Sequence, residues 1–81
     1  MRTYPVQLND WQHAIAVNRD QKVFKALFLH FYKPLTHFAV TIVKNKEAAE
    51  EVFSDVMLKL WDLGPALEKV DNLSTYLFIA I

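Results

Sequence analysis

The sequence lacks cysteine and contains only one glycine and three prolines in 81 residues. The absence of cysteine excludes a disulfide framework, a thiolate nucleophile and a cysteine zinc site, and it favours a reducing compartment. So few glycines and prolines leave too little turn chemistry for the many hairpins of an all-β fold. No apolar run approaches the roughly 20 residues that span a bilayer, and the N-terminus has no apolar signal-peptide segment. We therefore expect one small globular domain.

The chain also lacks net charge, because nine Lys and Arg balance nine Asp and Glu. This balance at first argues against a nucleic-acid-binding protein. The average hides a split, however. Residues 1–46 contain seven cations and two anions, a balance of +5, whereas residues 47–81 contain two cations and seven anions, a balance of −5. Such an asymmetry suggests two surfaces with different partners.

Apolar residues recur at helical spacing along nearly the whole chain. After an extended start, Asn9 or Asp10 is expected to cap a short helix. That helix is expected to bury Leu8, Trp11 and Ile15. Asp20 is expected to cap the next helix, and Pro34 either kinks this helix or starts a new one. The apolar stripe of this second region comprises Phe24, Leu27, Phe28, Phe31, Leu35, Phe38, Ala39, Ile42 and Val43.

A further helix is predicted between a cap at Asn45 and a stop at Gly64-Pro65, with its last turn near Trp61-Asp62. Residues 62–72 then form a connection that is long for a helical bundle, and long connections are often functional. We expect an all-α domain of three or four helices.

The last predicted helix begins at Leu73 after a cap at Asn72, and it reaches Ile81 without a capping signal. We therefore interpret the chain as a piece of a longer domain. Within it, residues 1–19 are expected to be an N-terminal segment with a short helix, and residues 20–81 the main domain.

The helix over residues 47–62 has one apolar face and one acidic face. The apolar face comprises Ala49, Val52, Phe53, Val56 and Leu60, with Met57 at its edge. We call the opposite face the acidic ridge; it comprises Glu47, Glu51, Ser54, Asp55 and Asp62, with Leu58 at its centre. Like charges four residues apart cost about 0.2–0.5 kcal/mol per pair. The ridge is either a solvated face with one exposed leucine or a docking surface for a cationic partner.

The order and spacing of several segments resemble one known family. The most specific is Ala-Glu-Glu-Val-Phe-Ser-Asp-Val-Met-Leu-Lys-Leu-Trp at residues 49–61. It is preceded by Phe-Leu-His-Phe-Tyr-Lys-Pro-Leu at 28–35 and by Phe38-Ala39, and it is followed by Asn-Leu-Ser-Thr-Tyr-Leu-Phe at 72–78. From about Asp20 to Ile81 the chain resembles region 2 of bacterial extracytoplasmic-function sigma factors.

This resemblance implies a helical domain that binds core RNA polymerase, through a coiled coil on the largest polymerase subunit. The docking helix of the family corresponds to residues 47–61. The positions carried over are Glu51, Ser54, Asp55, Leu58 and Lys59. The family usually has glutamine where Ser54 stands, so one hydrogen bond to the polymerase is expected to be shortened or missing.

The resemblance also implies a role in recognising and opening the promoter −10 element. In the family, the connection before the last helix holds a base flipped out of the non-template strand, at a cost of a few kcal/mol that stacking and hydrogen bonds offset. The candidates here are Leu67, Lys69, Asn72, Ser74 and Tyr76. Their alternative roles are a helix cap for Asn72, a core residue for Tyr76 and a solvated charge for Lys69.

Two departures limit the expected DNA binding. Ile79 stands where relatives often carry a cation, and the family's Arg-Asn pair and basic helix are expected directly after Ile81. We therefore expect the chain to dock on polymerase better than it binds DNA. By resemblance, an anti-sigma factor is a further expected partner, and the location is the cytoplasm.

Two other classes of function compete with this interpretation. An enzyme is disfavoured, because no carboxylate is spaced to complete a metal site with His13, His30 or His37, and the sequence contains no nucleophile–base pair and no glycine-rich phosphate loop. We expect no cofactor and interpret the histidines as surface or interface residues. A helical protein-interaction module without DNA binding of its own is the remaining alternative.

Overall fold

The computed structural model describes residues 4–81, with side chains described from residue 8 onward, and the described chain is helical without a strand. The all-α prediction is confirmed. The elements in chain order are α1 (Tyr4–Asn18), α2 (Gln21–Val43), α3 (Lys46–Asp62), a 3-10 helix (Gly64–Lys69) and α4 (Leu73–Ala80).

Three of the predicted helix caps are confirmed. The Asp20 carboxylate accepts hydrogen bonds from the backbone N–H groups of Lys22 and Val23, at 3.0 and 3.1 Å. The side chains of Asn45 and Asn72 accept one such bond each, at 2.9 and 3.0 Å, from the third residue beyond them. Each cap satisfies backbone donors that the first turn of a helix leaves without an intrahelical partner.

The prediction for the start of α1 is wrong. This helix begins at Tyr4, so the chain is not extended at Tyr4-Pro5, and Asn9 and Asp10 lie inside the helix instead of capping it. Proline is favourable in a first helical turn, because its fixed φ suits the helix and its missing N–H would have no partner there. Pro5 is therefore a better start signal than Asn9 or Asp10.

Pro34 lies inside α2, which continues to Val43, so it does not start a new helix. The residues of α2 that are buried lie on both sides of Pro34: Leu27, Phe31, Leu35 and Ala39. A proline in a helix interior costs about 3 kcal/mol. Burial of this continuous stripe offsets that cost, since each large apolar side chain contributes about 1.5–3 kcal/mol when fully buried.

By length and composition alone, α2 is long and apolar enough to cross a membrane. This differs from the expectation from the sequence that no apolar run approaches the roughly 20 residues that span a bilayer. Because its buried stripe packs into the core together with residues of α1, α3 and α4, we interpret α2 as the core helix of the domain.

Residues 62–72 are not an irregular loop. α3 ends at Asp62, two residues before Gly64, whose φ of +56° is in the left-handed region that favours glycine. The 3-10 helix follows immediately and packs against α1. The side chain of Gln12, only 6% exposed, donates hydrogen bonds to the backbone carbonyls of Leu67 and Val70, at 2.7 and 2.8 Å. The connection is therefore held in one conformation by α1.

α1 belongs to the same core as the rest of the chain. Its residues Ile15 and Ala16 are 0% and 1% exposed, in one apolar cluster with Leu27, Phe53 and Leu77. The described part of the N-terminal segment, residues 4–19, thus supplies part of the packing of the main domain through α1.

Candidate binding surfaces

The acidic ridge lies on the solvent-exposed side of α3. The opposite face of this helix is buried at Ala49, Phe53, Val56, Met57 and Leu60. Glu47, Glu51, Ser54, Asp55 and Asp62 are all exposed. Leu58, at the centre of the ridge, is 59% exposed, and Lys59 beside it is exposed as well. The two faces predicted from the sequence are therefore both present.

The charged groups of the ridge have no intramolecular partner among the described side chains. The contact between an acidic and a basic side chain found among the described residues joins His13 of α1 to Glu68 of the 3-10 helix, at 2.9 Å. Because Glu51, Asp55 and Lys59 remain solvated, a partner can pair with them without first breaking a contact in the domain. Glu47 lies in the first turn of α3, where a negative charge is favourable to the helix dipole.

Aromatic contacts hold α3 rigidly on α2. The ring of Phe53 packs edge-on against Phe28 and Tyr32, with centroids 4.8 and 5.6 Å apart. The Tyr32 hydroxyl donates a hydrogen bond to the Glu50 carboxylate. This hydrogen bond, and to a lesser extent burial, raises the pKa of Tyr32 above its ordinary value. The sequence does not single out this pair, since nothing local links residues 18 positions apart.

The far end of α3 is held by its tryptophan. Trp61 packs against Phe24, with centroids 4.9 Å apart, and the Arg19 guanidinium lies 3.9 Å from the centre of its ring. Arg19 itself has a φ of +53°, at the junction of α1 and α2. Such a cation–π contact is worth about 0.5–2 kcal/mol. Both ends of the ridge are thus fixed to the helices behind it.

The residues predicted to contact DNA occupy different environments. Leu67 is 0% exposed, so its side chain belongs to the core and is not open to a base. Lys69 and Asn72 are exposed, and the Asn72 side-chain oxygen caps α4. Ser74 and Tyr76 are half-buried, and Tyr76 packs against the core.

Two of these residues, Asn72 and Ser74, line a cavity of about 120 Å³ at the start of α4. Its other polar walls are the side chains of Asn9 and Asp71, for which the sequence did not predict this role. Asp71 could have been suggested by its position beside Asn72. Asn9 could not, because only the packing of α1 against this end of the molecule brings it there.

Two of the three histidines contact other side chains. His13 is hydrogen-bonded to Glu68, and His30 packs edge-on against Trp11 and Phe31, with centroids 5.8 and 4.9 Å apart. In the part of the chain that the structure describes, no group of three or more His, Asp or Glu side chains could hold a metal ion.

Comparison with known families gives one result. The family model described as Sigma-70 region 2 matches residues 27–81, which is more than half of the chain. The match covers α3, the 3-10 helix, α4 and most of α2, and it leaves out α1. No match was found among curated proteins or among solved structures.

Proposed function

The chain belongs to the sigma-70 region 2 family, and from that premise we propose that it is region 2 of an extracytoplasmic-function sigma factor that docks on core RNA polymerase through the acidic ridge. Region 2 of the family takes part in polymerase binding and promoter recognition during transcription initiation, and it is not an enzyme. The extracytoplasmic-function type, the cytoplasmic location and the residues of each contact are part of the proposal.

The observation that carries this proposal is the exposed Leu58 among unpaired carboxylates on a rigid helix. In an interface, an apolar anchor that becomes buried supplies affinity, and the charges around it select the partner. Glu51 and Asp55 would pair with cations of the polymerase coiled coil, and Ser54 and Lys59 would complete the contact. Because α3 is fixed on α2 by its aromatic contacts, less conformational entropy is lost when a partner binds.

The docking proposal is tested by capture of the domain on core polymerase. Leu58→Glu and Asp55→Lys are each expected to weaken binding at least about tenfold, which corresponds to a loss of roughly 1.4 kcal/mol. Both residues are exposed, so the unfolding midpoint of the domain should stay unchanged. The matched control is Val17→Glu, which also charges an exposed apolar position but lies on α1, where Val17 is 54% exposed. Wild-type capture by Leu58→Glu would refute the proposal.

We further propose that the surface around the start of α4 contributes to recognition and melting of the promoter −10 element. The small cavity lined by Asn72 and Ser74 supports this proposal, because its side chains can donate to and accept from the edge of an extruded base. Lys69 is exposed for a phosphate contact and Tyr76 offers an aromatic ring. Leu67 would act only through its place in the core, by fixing the 3-10 helix.

A protein-interaction module without DNA binding is the second candidate, and the same ridge favours it. An anti-sigma factor that covers the ridge would use Leu58 and its carboxylates as the polymerase does. The two candidates differ in one measurement, since only the sigma-factor domain should bind single-stranded −10 DNA more tightly than a scrambled strand of the same composition.

A further inference from the structure

The proposed polymerase and promoter contacts leave one large feature unused, which is the positive charge of the first half of the chain. Residues 21–46 contain five lysines and no aspartate or glutamate. All five lysines are exposed. We call them the basic stripe: Lys22, Lys25, Lys33, Lys44 and Lys46.

The stripe follows the outer face of α2. At 100° per residue, Lys22, Lys25 and Lys33 fall within an arc of about 80°, opposite the buried stripe of Leu27 to Ala39. Lys44 is the C-cap residue of the helix, and Lys46 is the first residue of α3. At 1.5 Å per residue, Lys22 and Lys44 are about 33 Å apart along the helix axis. None of the five forms an ion pair with another described side chain.

A cavity of about 500 Å³ lies between the second half of α2 and the first turns of α3. Lys33 and His37 line it from α2, and Lys46 lines it from the start of α3. Glu50 is the carboxylate in its wall, and it already accepts the hydrogen bond of the Tyr32 hydroxyl. Two lysine ammonium groups therefore face one carboxylate in this cavity, and one hydrogen bond of that carboxylate is already made within the domain.

We propose that the basic stripe binds the phosphate backbone of nucleic acid, with a phosphate group seated between Lys33 and Lys46. Phosphates along one strand are spaced about 3.4 Å apart. A strand laid along α2 therefore presents negative charge along the whole distance of about 33 Å between Lys22 and Lys44. Contacts of this kind fix the position of a nucleic acid without reading its sequence. No aspartate or glutamate lies between Lys22 and Lys46 in the sequence, so the stripe suits a continuous polyanion better than the mixed charges of a protein surface.

This inference goes beyond the proposed function, because it requires none of the residues at the 3-10 helix and α4. It assigns to the domain a second nucleic-acid contact, one that is independent of sequence. It also gives a role to the five exposed lysines of residues 21–46, whose charge is opposite in sign to that of the acidic ridge.

The test measures binding of a mixed-sequence, single-stranded DNA by fluorescence anisotropy over a range of salt concentrations, using the whole chain. The double variant Lys33→Gln with Lys46→Gln is expected to weaken binding about tenfold at low salt. It should also make the slope of log affinity against log salt shallower by about 1.4, since each phosphate contact contributes about 0.7 for a single strand. The pair Lys33→Arg with Lys46→Arg keeps both charges and should bind as the wild type does.

The charge-matched control is Val17→Glu with Asn18→Asp, which lowers the net charge by the same two units at exposed positions of α1. It should keep the wild-type slope. An equal loss in this control would overturn the proposal, because the effect would then be one of net charge alone. Unchanged affinity and slope in the double glutamine variant would overturn it as well.

Two further measurements separate this inference from its rivals. Poly-L-glutamate is added as a competitor at the same charge concentration as the DNA; equal displacement would assign the stripe to an acidic protein and overturn the proposal. Lys69→Gln is compared on −10 and scrambled DNA. If Lys69→Gln loses the preference for −10 DNA but keeps the salt slope, only the promoter contact is affected. The stripe variants, in contrast, should lose affinity for both DNAs equally.

Discussion

At the scale of single residues, the hydrogen bond between Tyr32 and Glu50 joins the two helices that carry the candidate surfaces. Tyr32 lies on α2 and Glu50 on α3, beside the cavity of the basic stripe. The bond stabilises the neutral phenol, because a phenolate would face the Glu50 carboxylate. This is why the pKa of Tyr32 is raised above its ordinary value of 10.0.

The raised pKa predicts how this contact depends on pH. A folded-state pKa above the unfolded value means that the contribution to stability is fully present below about pH 10 and is lost as pH rises through the folded-state pKa. Tyr32→Phe should therefore lower the urea midpoint by a constant amount between about pH 7 and pH 9. The difference from wild type should shrink above about pH 10.

Unfolding monitored by circular dichroism across this range provides the measurement, and Tyr76→Phe is the matched control, since no hydrogen bond of its hydroxyl is found among the described residues. A difference between wild type and Tyr32→Phe that stays constant up to the highest pH would contradict the assignment.

At the scale of elements, one residue at the start of α4, Asn72, has both a structural role and a proposed functional role. Asn72 caps α4 through its side-chain oxygen, and the same residue lines the small cavity, where we propose that its amide N–H groups donate to a base. The two roles can be separated because they use different atoms. Serine can supply the capping oxygen but has no amide.

Asn72→Ala and Asn72→Ser should therefore differ in stability but not in DNA binding. The alanine variant is expected to lose about 1 kcal/mol of the free energy of unfolding, and the serine variant only a few tenths. Both are expected to bind single-stranded −10 DNA more weakly than the wild type does. Chemical denaturation and anisotropy measure the two effects. If Asn72→Ser binds this DNA with unchanged affinity, Asn72 acts only as a cap.

At the scale of the whole molecule, α1 is part of the domain although the family match begins at Leu27. It supplies Ile15 and Ala16 to the core, and its Gln12 holds the 3-10 helix in place. The net charge of zero is likewise a sum over a molecule with a basic α2 and an acidic α3. It carries no argument against nucleic acid.

Deleting residues 1–19 is expected to abolish cooperative unfolding at room temperature, because it exposes core residues and leaves two backbone carbonyls without Gln12. Ile15→Ala tests the same packing in the full chain and should cost about 2–5 kcal/mol. Urea denaturation followed by circular dichroism is the measurement. A chain of residues 20–81 that unfolds with the wild-type midpoint would show that α1 is a dispensable addition.

The sequence by itself determined the features that depend on neighbouring residues. The caps at Asp20, Asn45 and Asn72 follow from side chains that bond within one helical turn. The two faces of α3 follow from the helical period, so the exposure of the acidic ridge is predictable from residue spacing alone. The family motif at residues 49–61 lies within this same helix, which is why the resemblance and the periodicity agree.

The tertiary structure decided what depends on residues far apart in the chain. It placed Gln12 against Leu67, 55 positions away, and so turned the expected loop of residues 62–72 into a packed 3-10 helix with Leu67 in the core. It kept α2 continuous through Pro34, because the buried stripe needs both halves of the helix. It also brought Lys33 and Lys46 to one cavity. Local periodicity carries no information about such contacts, since they form only when separate helices pack together.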